Sequence, residues 1–577
     1  MLPLLILAPL AAQLQAAPRP RASGQLTPVS ASRTRGPDSA GAVRAARRAQ
    51  AAFESYRRWN APRVPISSES SCDERVGRMC HWYDEPPRPP EPPGISRARD
   101  QLIAKLDSFG ELLPGDAQLA GLRIWYRIEA GRPREGVEVA RRCASDSAWC
   151  SALGGLSLHA SGEYAAADSA YTAALAAMPE EERCDWTDIE TLLEPRLGKR
   201  YRKLSCADRE GLEARVWWLA QPLHSMGTND LRTEHLSRAA VARIFRDTRN
   251  AHDLHWRDDL EELFLRYGWP TWWSRDPRVL PSLDGDLRVA SHTPVPAFLF
   301  FPSEHAVQEP LAALPDDWSF LRRHARTRYA PSYAAVLIDS LPHQAAMFRR
   351  GDSALVVARY DIRGHPMFRD RALDAALVLS RDEHSRPAIA RVRGGGTEIL
   401  QARVSPGPQL MSLEVRAADT ARVARTRYAI RPSDASAVIS DILLFEPTPL
   451  PPPSLEEALP AMRGSNQLHA GEQVGLLWEV YEARGAVDVS VTLSRTSAHA
   501  GRRVAEMLRL RGKPSAIRLR WEDALSPNHD RRSTGSVMID VGDRPPGTYE
   551  LELSIRTADG RTATTSRTVR LMGKDAR

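Results

Sequence analysis

Apolar positions recur at three- and four-residue spacing up to about residue 267 and at alternate residues beyond it, and this change of period divides the chain. In the front part, residues 148–179 read as a helix–turn–helix unit, with small residues letting the two helices approach and Ser161-Gly162-Glu163 as the turn. Residues 116–144 repeat the plan with Gly131 in the same turn role, and residues 101–113 supply a possible third member. A short helix is expected over 45–59, and residues 207–267 continue as helices, with Leu236, Val241, Ile244 and Phe245 at helical spacing. Pro270 stops that run, so Gly268-Trp269-Pro270-Thr271-Trp272-Trp273 is expected to be an ordered aromatic loop. Behind it come short strand-like runs at 297–301, 334–338, 354–360, 375–379, 410–415 and 438–445. A second set at 474–481, 487–493, 516–521, 536–541, 548–555 and 562–571 alternates with the period of half-buried antiparallel strands.

The spacing of Gly155, Leu158, Gly162, Tyr164, Ala167, Tyr171, Ala174 and Pro179 resembles a tetratricopeptide repeat. The six C-terminal strands resemble an immunoglobulin-like sandwich. The expected fold class is therefore multidomain α + β, a TPR-like helical front half followed by β-rich domains. Its expected parts are a signal peptide (1–17), a largely disordered Pro/Ala/Arg-rich segment (18–95), TPR-like repeats (96–195) and a helical region (196–285). A β-rich domain (286–446), a Pro-rich linker (447–464) and a β-sandwich (465–577) complete it.

Several stretches are similar to the GWxTD-domain family of bacterial exported proteins, which often carry tetratricopeptide repeats in front. They are Trp217-Trp218-Leu219-Ala220-Gln221-Pro222-Leu223, Asn229-Asp230-Leu231-Arg232-Thr233-Glu234-His235 and Leu265-Arg266-Tyr267-Gly268-Trp269-Pro270. Further on, Gln344-Ala345-Ala346-Met347-Phe348-Arg349-Arg350-Gly351-Asp352-Ser353, Ser440-Asp441-Ile442-Leu443-Leu444 and Leu477-Trp478-Glu479-Val480-Tyr481 add to the likeness. The signature breaks after Gly268-Trp269, where Pro270-Thr271-Trp272 follow and the nearest aspartate is Asp276. The resemblance implies architecture and export; it brings no reaction with it.

Composition narrows the class of protein. Residues 1–17 are uncharged and apolar from Leu2 to Leu14, as a secretory signal would be, and no later stretch reaches the roughly 20 apolar residues of a membrane span. Six cysteines fall as close pairs, Cys72/Cys80, Cys143/Cys150 and Cys184/Cys206, which in an exported chain suggests disulfides. No CxxC pair favours zinc instead. Periplasmic or secreted localisation follows. The net charge of +7 is small for 577 residues, and only five of the 79 basic residues are lysines, a composition expected of a GC-rich genome. An arginine surface for phosphate or nucleic acid would need a local basic patch with interleaved aromatics, which the sequence does not show, so nucleic acid is not an expected partner.

Three groups could carry chemistry. His252 and His255 stand three apart on an expected helix, and His235, one helix earlier, could complete a metal site. The alternative is that all three are polar helix-face residues without a metal. Trp256, Tyr267, Trp269, Trp272 and Trp273 are dense enough for a stacking platform, although tryptophans at a domain junction more often bury their area between layers. Gly394-Gly395-Gly396-Thr397 is a hairpin turn without the Lys and helix of a P-loop, and no GxSxG occurs. No cofactor is expected. The functional expectation is an exported, non-enzymatic binding or scaffolding protein whose partner is a protein or an envelope component. A metal-assisted hydrolase centred on His235, His252 and His255 is the alternative.

Overall fold

The computed structural model describes residues 39–64, 73–81, 87–275, 289–293, 300–318, 326–338, 341–432, 438–483, 485–496, 517–525, 527, 531–558 and 560–573. The expected signal peptide lies outside the described residues. Six helices pack as three successive hairpins: α1 (Ser39–Asn60) with α2 (Pro93–Leu112), α3 (Ala117–Glu129) with α4 (Pro133–Arg141), and α5 (Ser147–Ala160) with α6 (Tyr164–Ala177). Local chemistry sets their starts. Pro93 opens α2, where its missing N–H costs nothing, and Asp116 and Asp146 cap α3 and α5 by accepting from Leu119 N and from Ala148 N and Trp149 N. At Gly155 a Cβ would lie 2.9 Å from the Tyr171 ring, so the third hairpin closes on a glycine.

The segment 18–95, expected to be largely disordered, contains α1, which is longer than the helix expected over 45–59. Phe53 meets the Tyr126 ring edge-on at 5.4 Å, and Gln50 Nε2 donates to Tyr126 Oη at 3.0 Å, so α1 is the first member of the stack.

Helix α7 (Glu180–Thr187), α8 (Pro195–Tyr201) and α9 (Cys206–Ala220) lead to α10 (Asp230–Phe245), which lies across α3 and α5. Small residues line it: Ala239, Ala240 and Ala242 are buried beside Val241, Ile244 and Phe245. Gln118 Nε2 donates to Ile244 O at 3.1 Å, Tyr171 Oη pairs with Ser237 Oγ at 2.8 Å, and Gly121 leaves room for Ile244. One face of the hairpin stack, formed by α3, α5 and α6, is thus covered by the chain's own helix.

Two disulfides lie in this half. Cys143–Cys150 closes the turn between α4 and α5, and Cys184–Cys206 ties α7 to α9. Cys80 is also disulfide-bonded, whereas Cys72 lies outside the described residues. Loop-closure entropy scales with the loop, so removing the 22-residue link is expected to cost about 3 kcal/mol and the 7-residue link about 2 kcal/mol. Guanidinium unfolding of C143S/C150S and C184S/C206S checks the order, and a costlier loss of the shorter link would contradict it.

After α11 (Asp258–Tyr267) the chain turns at Gly268 (φ +85°) into a ribbon of β3 (Trp272–Arg275) and β4 (Val289–His292); β1 (Glu74–Val76) and β2 (Met79–His81) form another. The rest is four sheet layers. Strands β5 (Val336–Ile338), β8 (Leu373–Ser380), β9 (Ala388–Gly394), β11 (Gln409–Ala417) and β12 (Arg422–Ile430) form a five-stranded sheet ordered β5-β12-β11-β8-β9. It packs on the three-stranded sheet β10-β7-β6, made of β6 (His343–Arg350), β7 (Ser353–Asp361) and β10 (Thr397–Val404), through Met347, Val356, Leu377, Leu413 and Val415. The second pair joins the three-stranded β13-β15-β18 to the five-stranded β14-β20-β19-β16-β17. Its members are β13 (Leu443–Phe445), β14 (Gln467–His469), β15 (Gln473–Tyr481), β16 (Gly485–Arg495), β17 (Ile517–Leu525), β18 (Arg532–Asp540), β19 (Gly547–Thr557) and β20 (Thr562–Met572). Val474, Leu476, Trp478 and Val480 face Val489, Val491, Leu551, Leu553 and Ile555 across its core.

The two three-stranded sheets stand back to back. Phe348 and Val357 pack on Leu443, Phe445 and Leu477, and Leu455, Ala458 and Met462 wedge in from the segment expected to be a linker. That explains the burial patterns. Strand β19 alternates buried and open residues because one face meets solvent, whereas β15 is buried on both faces from Val474 to Tyr481. Two expectations change accordingly. The sandwich expected over 465–577 takes β13 from before the proline run, pairing Leu443 with Leu477 and Phe445 with Gly475, and the 447–464 segment is docked by its second half. The Gly394–Gly396 turn does join two strands, but they do not pair with each other: β9 pairs with β8 and β10 with β7, so the chain crosses between sheets there. A Cβ on Gly396 would lie 2.8 Å from Arg363.

Candidate functional site

The five aromatics singled out in the sequence converge, but as packing. Trp269 stacks on Phe245 (4.0 Å) and lies 5.2 Å from Trp125, 4.6 Å from Phe264 and 6.4 Å from Trp273, so it ties α3, α10 and α11 to β3. Trp256 tilts against Phe264 at 5.3 Å, and Tyr267 is stacked on His81 at 3.7 Å. Trp272 stacks on His292 at 3.6 Å across the β3–β4 pair. Tyr267, Trp272 and Trp273 are buried and Trp256 and Trp269 half-buried, so no open aromatic platform is presented.

Trp272 and Trp273 also line a cavity of about 70 Å³ whose other walls carry charge. Arg57 of α1 forms a two-bonded pair with Glu129 of α3, 2.7 Å at each oxygen, and Arg99 of α2 links Glu129 to Glu91. Deeper, Glu54 accepts from Tyr126 Oη at 2.6 Å, and burial pushes its carboxyl up to about 7 although Arg57 pulls the other way. Glu54, Arg57, Arg99 and Glu129 belong to the first two hairpins, so the network bolts α1 and α2 to α3. A raised carboxyl in a cleft is a feature of acid–base sites, yet here each charged partner holds two helices together.

The three histidines do not meet. His235 is buried in α10, 5.3 Å from the Trp217 ring. His252 is not helical: α10 ends at Phe245, Asn250 holds His252 N and Leu254 O through its side-chain amide, and Asp253 adopts φ +56°. The turn points His252 inward against Trp273 at 4.6 Å and leaves His255 exposed. Among the described residues no group of three His, Cys, Asp or Glu side chains stands where a metal ion could be held. The i, i+3 reasoning failed because it assumed a helix.

Both buried histidines report on pH. Burial first, then Arg238 for His235 and Arg58 for His252, holds each imidazole down at about 3. The folded chain keeps them neutral while the unfolded chain takes up protons near 6.5. Their stabilisation is complete above 6.5 and is lost as pH falls from 6.5 towards 3, by about 1.4 kcal/mol per pH unit for each. Glu54 runs opposite: raised to about 7, it weakens the fold as pH rises from 4.5 to 7. Urea stability is therefore expected to fall on going from pH 6.5 to 5, and less steeply in His252→Gln. Parallel profiles for the two proteins would remove His252 from the account.

What sequence reading missed is the joint between the halves. Glu414 of β11 accepts from His224 N (2.8 Å), Ser225 N (3.0 Å) and Ser412 Oγ (2.7 Å) and lies 3.6 Å from Arg427 of β12. Arg427 Nη1 donates to Leu219 O (2.8 Å) and Gln221 O (3.0 Å), and Arg425 donates to Pro222 O (2.7 Å). A second joint uses His159 of α5, whose Nδ1 pairs with Thr233 Oγ1 at 2.9 Å and Nε2 with Glu234 Oε2 at 2.7 Å. Glu234 also holds Arg238; burial pushes the Glu234 carboxyl up, but the Arg238 guanidinium and the hydrogen bond to His159 outweigh it and hold the carboxyl down at about 2. The one available signal was the run of charges inside a strand-length stretch, Arg422-Val423-Ala424-Arg425-Thr426-Arg427.

No protein-family model matches the chain, and no curated protein matches it. Among solved structures, red sea bream transglutaminase is 12% identical over 41% of this chain and 32% of its own, with a TM-score of 0.13. A protein from Corynebacterium diphtheriae described as membrane anchored is 10% identical over 41% of this chain and 60% of its own, with a TM-score of 0.15. At these scores neither likeness bears on fold or function.

Proposed function

We propose that this chain is an exported, non-enzymatic binding or scaffolding protein of the bacterial cell envelope, acting through contact with a protein or another envelope component. The observation that supports this reading is where the buried ionisable groups are used. Glu54–Arg57–Glu129, His159–Glu234–Arg238 and Glu414–Arg427 each bridge separate helices or join helices to sheet, so interior charge builds a rigid frame. The two disulfides agree with an oxidising compartment, and among the described residues no helix is long and apolar enough to cross a membrane. On this reading the hairpins are tetratricopeptide-like units that support α10, the second sheet pair is immunoglobulin-like, and the chain is a GWxTD-type protein with a departed signature at Pro270-Thr271-Trp272. The test is affinity capture from envelope extract with the mature chain, together with elemental analysis. One envelope component retained in fixed ratio, without stoichiometric metal, supports the scaffold; one equivalent of tightly held zinc reverses the assignment towards hydrolysis.

A further inference from the structure

The first helical hairpin carries a groove of about 310 Å³ on its outer side, and all the residues lining it belong to α1 and α2. Helix α1 turns Ala46, Gln50, Phe53 and Arg57 into the stack, and α2 turns Ile95, Leu102 and Leu106 the same way. The stripes between them face outward and wall the groove, with Ala49, Ala52 and Tyr56 on α1 and Ala98, Gln101 and Lys105 on α2. At helical spacing the α1 stripe runs on to Trp59 and the α2 stripe to Leu112. Tyr56, Trp59 and Leu112 are 41%, 44% and 53% exposed, and among the described residues they are three of the six large hydrophobic side chains left exposed. An apolar patch rimmed by polar groups marks an interaction surface. The walls hold two cations, Arg97 and Lys105, and no carboxylate; neither cation has a hydrogen bond or ion pair with another described residue.

We propose that this groove docks an amphipathic helix with an acidic flank, contributed by another protein. The inference names the partner of the scaffold reading above and rests on it. Two packed helices present a groove that a third helix fills, ridge into groove, and the short side chains of Ala49, Ala52 and Ala98 leave room for it, as Gly121 leaves room for Ile244 of α10. From Ala49 to Trp59 the outward stripe of α1 is about 15 Å long, so the occupant makes contact over about three turns. Charge selects among occupants. Residues 18–38 of the chain itself carry Arg19, Arg21, Arg33 and Arg35 against Asp38, and a second copy would bring the same cations to the groove, so both would meet repulsion. Carboxylates beside the apolar face of a partner helix meet Arg97 and Lys105 instead.

The test uses a fluorescent helical peptide of about 14 residues, with a leucine stripe flanked by glutamates, and a copy with lysines in place of the glutamates. Anisotropy titration with the full mature chain is expected to show saturable binding of the glutamate peptide only. R97E/K105E should weaken it about tenfold, and Ala52→Trp, which fills the groove, by more. Arg141→Gln, on an exposed arginine paired with Glu138 in α4, should leave it unchanged. All these positions are exposed, and thermal unfolding checks that each variant is folded. No binding, binding of both peptides alike, or binding that survives the variants overturns the proposal. So does a concentration-dependent dimer that Ala52→Trp breaks, which identifies a second copy as the occupant, and so does peptide binding that appears only after removal of residues 18–38. Capture from envelope extract separates this site from the reading it rests on. A component retained by the wild type and lost from both groove variants supports the two together, whereas one retained equally by all overturns the site and leaves the scaffold. No retained component, beside the expected peptide binding, overturns the scaffold reading and leaves the groove's specificity standing.

Discussion

A fragment of residues 465–577 is expected to show no cooperative unfolding, and one of residues 438–577 to recover it. The alternating apolar positions of the last six strands suggest a self-sufficient core, but that core includes Ile439, Ile442 and Leu444, all from before the proline run. Strand β13 also supplies the ladder partner of β15, pairing Leu443 with Leu477, Leu444 with Leu476 and Phe445 with Gly475. The fit is close: a Cβ on Gly475 would lie 2.1 Å from the Phe445 ring, so the glycine is the seat of that side chain. Losing Ile439, Ile442, Leu443, Leu444 and Phe445 at about 1.5–3 kcal/mol each removes a sum comparable with the roughly 5–15 kcal/mol of a whole domain. It also bares one edge of β15, an unpaired row of backbone groups that invites aggregation. Thermal melts of both fragments by circular dichroism decide the matter. Equal midpoints would mean that β13 is dispensable.

The second large effect is expected at Glu414. Its carboxylate is 2% exposed and accepts from two backbone N–H groups of the 219–225 turn while facing the fully buried Arg427. Burial, with Arg425 adding to it, drives the Arg427 guanidinium well below its ordinary range, so this cation is held against a strong desolvation cost. Glu414→Ala leaves that cation and two amides unsatisfied, and the expected loss is about 3–5 kcal/mol. Replacing both partners with apolar side chains, Glu414→Leu with Arg427→Met, should restore part of it, since the penalty lies in the uncompensated charge. Urea denaturation of the single and double variants measures the difference. A double variant as unstable as Glu414→Ala would show that the contacts to Leu219 and Gln221, and not the charge balance, carry the joint.

The sequence by itself determined the elements whose cause is local. Helices α3 to α6 follow from apolar spacing, from the Asp116 and Asp146 caps and from the Gly131 and Gly162 turns, both at positive φ. The strands β16, β19 and β20 follow from an alternation that survives because one face meets water. The pairings Cys143–Cys150 and Cys184–Cys206 follow from proximity along the chain. Tertiary structure decided what depends on a second surface. Strand β12 reads as polar, yet it is interior because Arg425 and Arg427 find carbonyls at the end of α9. Helix α1 reads as part of a loose Ala- and Arg-rich stretch, yet it is fixed because Arg57 finds Glu129. His252 and His255 share a helix only on paper, since α10 ends ten residues after His235 and the turn at Asp253 sends them to opposite environments. A charged or polar side chain names its requirement, a partner of opposite sign or a hydrogen bond, but not the element that meets it; that choice belongs to the packing of layers distant in sequence.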